Sequence, residues 1–395
     1  MRSRLLELAG LFLRIGTTGF GGPAALIAMM QDEVVVRRKW LTPEHFLDFV
    51  GTTNLIPGPN ATEMAMHIGY IRAGPAGLVI AGLSFIIPAA LLTMGLAWAY
   101  VRYGTLPQAA PFLYGIKPAV LGIILTALWR LGKTSIKGWR YLLIGVMVMA
   151  ASFLGANEIL ALLAGGLIGM CWLRLHAVHE SGAGPGALSC ILAGASLGFR
   201  SLLAGAGGTF ATYVSTAAEV PLWKLGLFFL KIGSVLYGSG YVLLAFLERG
   251  LVRDYHWMTQ QQLVDAIAAG QFTPGPLSST ATFVGYILLG VPGAVVATVG
   301  MFLPSFLFVL ALGSLLPRLR RSPWTASFLD AVNVSAVALM AVVAARLGQT
   351  TLVGWPAWLI TLATVAASLR WRINSTWLVL IGALIGWLLS TKLAL

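Results

Sequence analysis

Charge is scarce in this chain of 395 residues: 10% are Asp, Glu, Lys or Arg, against 58% hydrophobic. A soluble domain carries about 25% charged residues, so this chain could not cover itself with a polar surface. Cysteine is nearly absent, and Cys171 and Cys190 make neither a metal motif nor a disulfide framework. No phosphate-cradling Walker loop is present, so no ATP-driven step is visible. No Cys/His cluster suggests a metal, no cofactor is expected, and no nucleophile stands with a positioned base. Nothing here points to an enzyme.

Long apolar runs are what the sequence does have, at 77–100, 293–316 and 355–368. A spanning helix needs ~20 mostly apolar residues, and a transmembrane barrel would show short alternating segments instead. The expected class is therefore an all-α polytopic membrane protein. The net charge of +13 does not indicate nucleic acid, because the basic residues sit in short clusters between apolar runs, as in cytoplasmic loops. The start, MRSRLLELAGLFLRIG, lacks a small-residue cleavage site and reads as retained structure, not a signal peptide.

The chain is a duplication. The offset of 217 residues that separates Arg14-Ile15-Gly16 from Lys231-Ile232-Gly233 also pairs Trp40 with Trp257, Asp48 with Asp265 and Pro57-Gly58-Pro59 with Pro274-Gly275-Pro276. One residue is then lost, and an offset of 216 pairs Gly69 with Gly285, Gly74 with Gly290, Pro88 with Pro304 and Arg130-Leu131-Gly132 with Arg346-Leu347-Gly348. The repeats are 1–180 and 220–395, joined by a linker at 181–219. Basic loops in one repeat mostly match basic-poor loops in the other: Arg37-Arg38-Lys39 and the 130–140 loop in the first, Arg318, Arg320, Arg321, Arg370 and Arg372 in the second. That is the pattern of an inverted repeat. An apolar stretch at 187–205 would be the extra crossing that turns the second repeat over.

Each repeat carries two helix-breaking stretches. The first has Thr17-Thr18-Gly19-Phe20-Gly21-Gly22-Pro23, then Asn54-Leu55-Ile56-Pro57-Gly58-Pro59-Asn60; the second has Tyr237-Gly238-Ser239-Gly240, then Thr273-Pro274-Gly275-Pro276. Irregular backbone at membrane depth is tolerated only where it is buried or lines a cavity. Proline suits the first turn of a helix, and the uncapped amides there favour anions. These breaks would aim half-helix N-termini at an anion, with Arg14 and Lys231 as cations in matching positions ahead of them. A kink used only for packing is the plainer reading of any single break, and snorkelling to the headgroups is the plainer reading of the two cations. The residues alone leave open whether each break makes a re-entrant hairpin or a kinked full span. Glu63 and His67, spaced i,i+4 on one helix face, are the candidates for proton coupling. One polar face lining water is the alternative. Lys117, before Pro118, is a weaker candidate, and Asp48 and Asp265 read as caps or tethers.

FGGP at 20–23, the loop ending in Arg38-Lys39-Trp40, LIPGPN at 55–60, GYIRAGPAG at 69–77 and FIIP at 85–88 resemble the chromate ion transporter family in its long, two-domain form. The second repeat carries a weaker version: YGSG, HWMT, FTPGPLSS, GYILLGVPG and FLPS. The resemblance implies a multi-pass protein of the bacterial inner membrane, with oppositely oriented halves, linked to chromate efflux and resistance. The expectation is a secondary transporter exporting chromate, driven by membrane potential or proton antiport. Alternatives are a sulfate or other oxyanion carrier, an anion channel, and a membrane-embedded enzyme or sensor. The expected partners are chromate or sulfate and the lipid bilayer, with a homodimer open as an assembly.

Overall fold

The computed structural model describes residues 2–53, 55–104, 110–180, 220–237, 240–312, 322–371 and 373–393. The linker at 181–219, with its expected extra crossing, lies outside the described residues. All regular structure among those residues is helical. In the first repeat α1 is Arg2–Thr18, α2 Gly22–Gln31, α3 Pro43–Thr53, α4 Asn60–Tyr103, α5 Ala110–Ser135, α6 Trp139–Phe153 and α7 Glu158–Glu180. In the second, α8 is Leu222–Gly233, α9 Leu243–Leu247, α10 Gln260–Phe272, α11 Thr280–Leu312, α12 Pro323–Thr351, α13 Trp355–Arg370 and α14 Ser375–Leu393. α4, α5, α11 and α12 are long and apolar enough to cross a membrane.

Local backbone repeats with the sequence. α2 runs into a π-helical turn at Asp32–Arg37, and α9 into one at Glu248–Asp254. Among the described residues, the two non-glycine residues with positive φ are Lys39 (52°) and His256 (53°), 217 positions apart.

α4 and α11 are not straight spans. A helix rises 1.5 Å per residue, so positions eight apart lie about 12 Å apart. Yet Gly69 and Gly77 touch, each so close that a Cβ would collide with the other's carbonyl, and Ala81 packs on Gly69 as well. The chain must reverse between them, and it does so at Ala73 (φ −148°) and Gly74 (φ 65°). Gly285 and Gly293 make the same contact around Leu289 (φ −140°) and Gly290 (φ 62°). The small residues let two backbones pack side by side. α1 and α2 form a second hairpin, since Arg14 on α1 meets Glu33 just beyond α2.

The long arm of α4 shows how the repeats are arranged. Along it, Phe85 lies against Gly16, Ala89 against Gly275, the Thr93 hydroxyl 3.2 Å from Ser279, and Tyr100 against Asp265. It passes the tip of the first repeat's hairpins, then the tip of the second's, then the body of the second's. α11 does the reverse, meeting Gly233 at Met301 and Gly58 at Ser305. The hairpins therefore enter from opposite ends and meet tip to tip. The expected inverted repeat with broken helices is the observed fold, and the breaks are hairpins.

The remaining helices are exchanged between repeats. α5 packs on α13 and α14, and α12 packs on α6 and α7. Two arginines pin this exchange. Arg130 donates to the Ser368 carbonyl at 2.6 Å, and its repeat partner Arg346 donates to the Ser152 carbonyl at 3.5 Å. Arg346 also holds the buried Glu248 at 3.0 Å.

Candidate functional site

The hairpin tips are stitched together by the glycines of the two PGP motifs. Gly58 donates its amide to the Leu236 carbonyl at 2.6 Å, and Gly275 donates to the Gly19 carbonyl at 2.8 Å. The two bonds are repeat equivalents, each joining the second break of one half to the first break of the other. Glycine is required at both positions. Gly58 has φ 151° and Gly275 φ 92°. A side chain on Gly58 would collide with Glu63 Oε1 and Ser305 Oγ, and one on Gly275 would come within 2.7 Å of Ala89 Cβ.

Three helices begin at this junction. α2 starts after Gly21 with Pro23 in its first turn, and α4 starts after Pro59. A short 3-10 turn, Leu277–Ser279, follows Pro276 and leads into α11. Among the described residues no side chain caps any of the three, so their leading amides present partial positive charge. Pro23, Pro59, Asn60, Ala61, Pro276 and Ser278 line a common cavity of about 10 Å³, room for roughly one water. Ser278 is 1% exposed, and its hydroxyl has no partner among the described residues. Gly21, Gly22 and Gly275 line a second small cavity beside it, with Tyr241, Thr273 and Ser375.

Glu63 lies one turn into α4 and is fully buried. It accepts a hydrogen bond from Ser305 of the other repeat at 3.2 Å, and its Oε2 has no partner among the described residues. His67 follows on the same face, 3% exposed, stacked on Phe49 at 5.7 Å between ring centres.

A larger cavity of about 670 Å³ opens beside the junction, from Leu55 and Val242 out to Leu131, Thr134, Lys137 and Asn333. Lys137 pairs with Asp330 at its mouth at 2.7 Å.

Of the residues expected at the site, Gly21, Gly22, Pro23, Gly58, Pro59, Asn60, Gly275 and Pro276 come together at the tips, with Pro57 and Pro274 beside them in the chain. Asn54 and Gly238 lie outside the described residues. Arg14 and Lys231 do not join the cluster. Both are exposed, because the buried stripes of their helices are Leu8, Leu11, Phe12 and Ile15, and Leu225, Phe229 and Ile232. Arg14 turns to Glu33, which Arg37 and Arg38 also hold. Burial alone would raise the Glu33 carboxyl; hydrogen bonds from Arg14 and Arg38 and the Arg14 and Arg37 charges outweigh it and lower its pKa. Ser278, Ser305 and Tyr100 were not expected. Ser278 and Ser305 had one signal each, the SS after the second PGP and the S of FLPS.

The chain matches a family model described as Chromate transporter twice, over residues 6–170 and 223–387. It is 33% identical over 387 residues to a chromate transport protein of Cupriavidus metallidurans, covering 96% of this chain and 91% of that one. It is 30% identical over 371 residues to a probable chromate transport protein of Synechococcus elongatus, covering 94% and 91%. A chromate transport protein of Pseudomonas aeruginosa is 30% identical over 391 residues, covering 97% and 92%. No solved structure matches the chain.

Proposed function

Since the chain belongs to the chromate transporter family, we propose that it exports chromate across the bacterial inner membrane as a secondary transporter. The observation that carries this reading is the tip junction. Three uncapped helix starts, drawn from both repeats, converge on a buried cavity with an unpartnered Ser278 hydroxyl. Inverted-repeat transporters hold anions at such half-helix N-termini near the midplane. A tetrahedral oxyanion has four acceptor corners to share among amides from separate helices. The cavity is too small for one as it stands, so loading requires the tips to part.

Charge supports this direction and driving force. Arg37, Arg38, Arg72, Lys133 and Lys137 lie at one end of the molecule, where the first repeat's hairpins are rooted and where the large cavity opens. By the positive-inside rule that end is cytoplasmic, which puts the open cavity on the loading side for export. Moving one charge across 100 mV is worth about 2.3 kcal/mol, so a dianion leaving a negative interior gains roughly twice that. Glu63, buried at the junction and touching both repeats, and His67 behind it would link this movement to protons.

The test is chromate efflux from liposomes of the purified protein, with membrane potential and pH gradient imposed separately. Efflux is expected to follow an interior-negative potential, to change rate with the pH gradient, and to slow with excess sulfate. No chromate movement under either gradient overturns the reading.

A further inference from the structure

The two repeats match in sequence, but the two ends of the molecule are not in the same state. Leu131, Asn333 and Val337 line the large cavity. Their repeat partners, 216 positions away, are Leu347, Lys117 and Leu121, and the two leucines among them are packed into the interior. Leu347 is 1% and Leu121 3% exposed. Lys117 stands 3.9 Å from Asp265 of the other repeat, and Tyr100 donates to the same carboxylate at 2.8 Å. The repeat-equivalent positions differ in chemistry: the partner of Lys117 is the neutral Asn333, and the partner of Asp265 is the exposed Asp48.

We propose that Lys117 is an oxyanion-binding residue on the far-side path, held by Asp265 while that side is shut. When the second repeat takes up the arrangement now seen in the first, Lys117 lines a second vestibule where Asn333 lines the present one. A tetrahedral dianion arriving there replaces the Asp265 carboxylate as the partner of the ammonium group, while Tyr100 keeps its bond to Asp265. The buried Asp265 carboxylate gives up the largely covered Lys117 ammonium group readily only if a new partner arrives, which ties far-side opening to the anion. This inference rests on the transport reading above, but its test needs no flux.

The test uses the full chain with Cys171→Ser and Cys190→Ser, carrying either Asn333→Cys or Leu347→Cys. A membrane-impermeant maleimide is applied to each face of oriented vesicles. Asp265→Asn is expected to raise far-side labelling of Leu347→Cys about tenfold and to lower near-side labelling of Asn333→Cys. Tyr100→Phe, a gentler change, should move both rates the same way by less. Sulfate, an unreactive tetrahedral dianion, should protect Leu347→Cys in the Asp265→Asn background, and adding Lys117→Gln should remove that protection. Unchanged labelling of Leu347→Cys, or both reporters rising together as in simple loosening, would overturn the gate. Absent protection, or protection that survives Lys117→Gln, would overturn the ligand assignment. Reciprocal labelling without chromate efflux would instead fault the transport reading alone.

Discussion

Replacing Gly58 with alanine is expected to abolish anion flux and to lower the amount of folded protein recovered. Two penalties act together. The left-handed φ of 151° strains a side-chain-bearing residue by about 1–3 kcal/mol. The new methyl group would also overlap Glu63 Oε1 and Ser305 Oγ, one from each repeat, and overpacking of a filled interior typically costs about 1–3 kcal/mol. Relief requires the tips to move apart, which breaks the bond from the Gly58 amide to Leu236. Gly74→Ala separates the two causes. It too has positive φ, 65°, but open space around the added methyl group. It should therefore retain most of the flux, with only the strain expressed as lost stability. Chemical denaturation and liposome flux on both variants check this. Equal damage in both would mean that the close approach at Gly58 is not what the motif is for.

Glu63→Gln is expected to erase the response of flux to an imposed pH gradient while potential-driven flux remains. Glutamine keeps the shape and can still accept from Ser305, but it cannot release a proton. A unit charge and a dianion within ~10 Å repel by roughly 3 kcal/mol at an effective dielectric of about 20. The protonation state of Glu63 is thus strong enough to decide whether the junction accepts an oxyanion. His67→Gln should act in the same direction but more weakly, since His67 is a further turn along α4 and its ring is engaged by Phe49. Flux measured at zero potential with a stepped pH difference reads this out. A Glu63→Gln protein with an undiminished pH response would remove that residue from the coupling path.

The breaks, the duplication and its inversion were legible in the sequence because each leaves a local mark: a PGP triplet, a fixed offset, a swap in basic loops. The hairpins were not. Gly69 and Gly77 read as small residues in an apolar run, and only the left-handed Gly74 between them turns the run back on itself. Sequence reasoning puts Arg14 and Lys231 at the anion site because they adjoin breaks in the chain. Adjacency in sequence says nothing of helical phase, and both sit off the buried stripe. Glu63–Ser305 and Lys117–Asp265 join different repeats. Such pairs depend on how the halves interlock, for which a single sequence carries no signal.

The central claim is that helix starts and a serine hydroxyl, not the two exposed cations, hold the oxyanion. Equilibrium binding of chromate to purified Ser278→Ala, Arg14→Ala and Lys231→Ala tests it most directly. Loss of one hydrogen bond to a charged group is worth about 1.5–3 kcal/mol, so Ser278→Ala should weaken binding at least about tenfold. Arg14→Ala and Lys231→Ala should bind within about twofold of the unmodified protein. Unweakened binding by Ser278→Ala, with binding lost in Arg14→Ala or Lys231→Ala, would contradict the account.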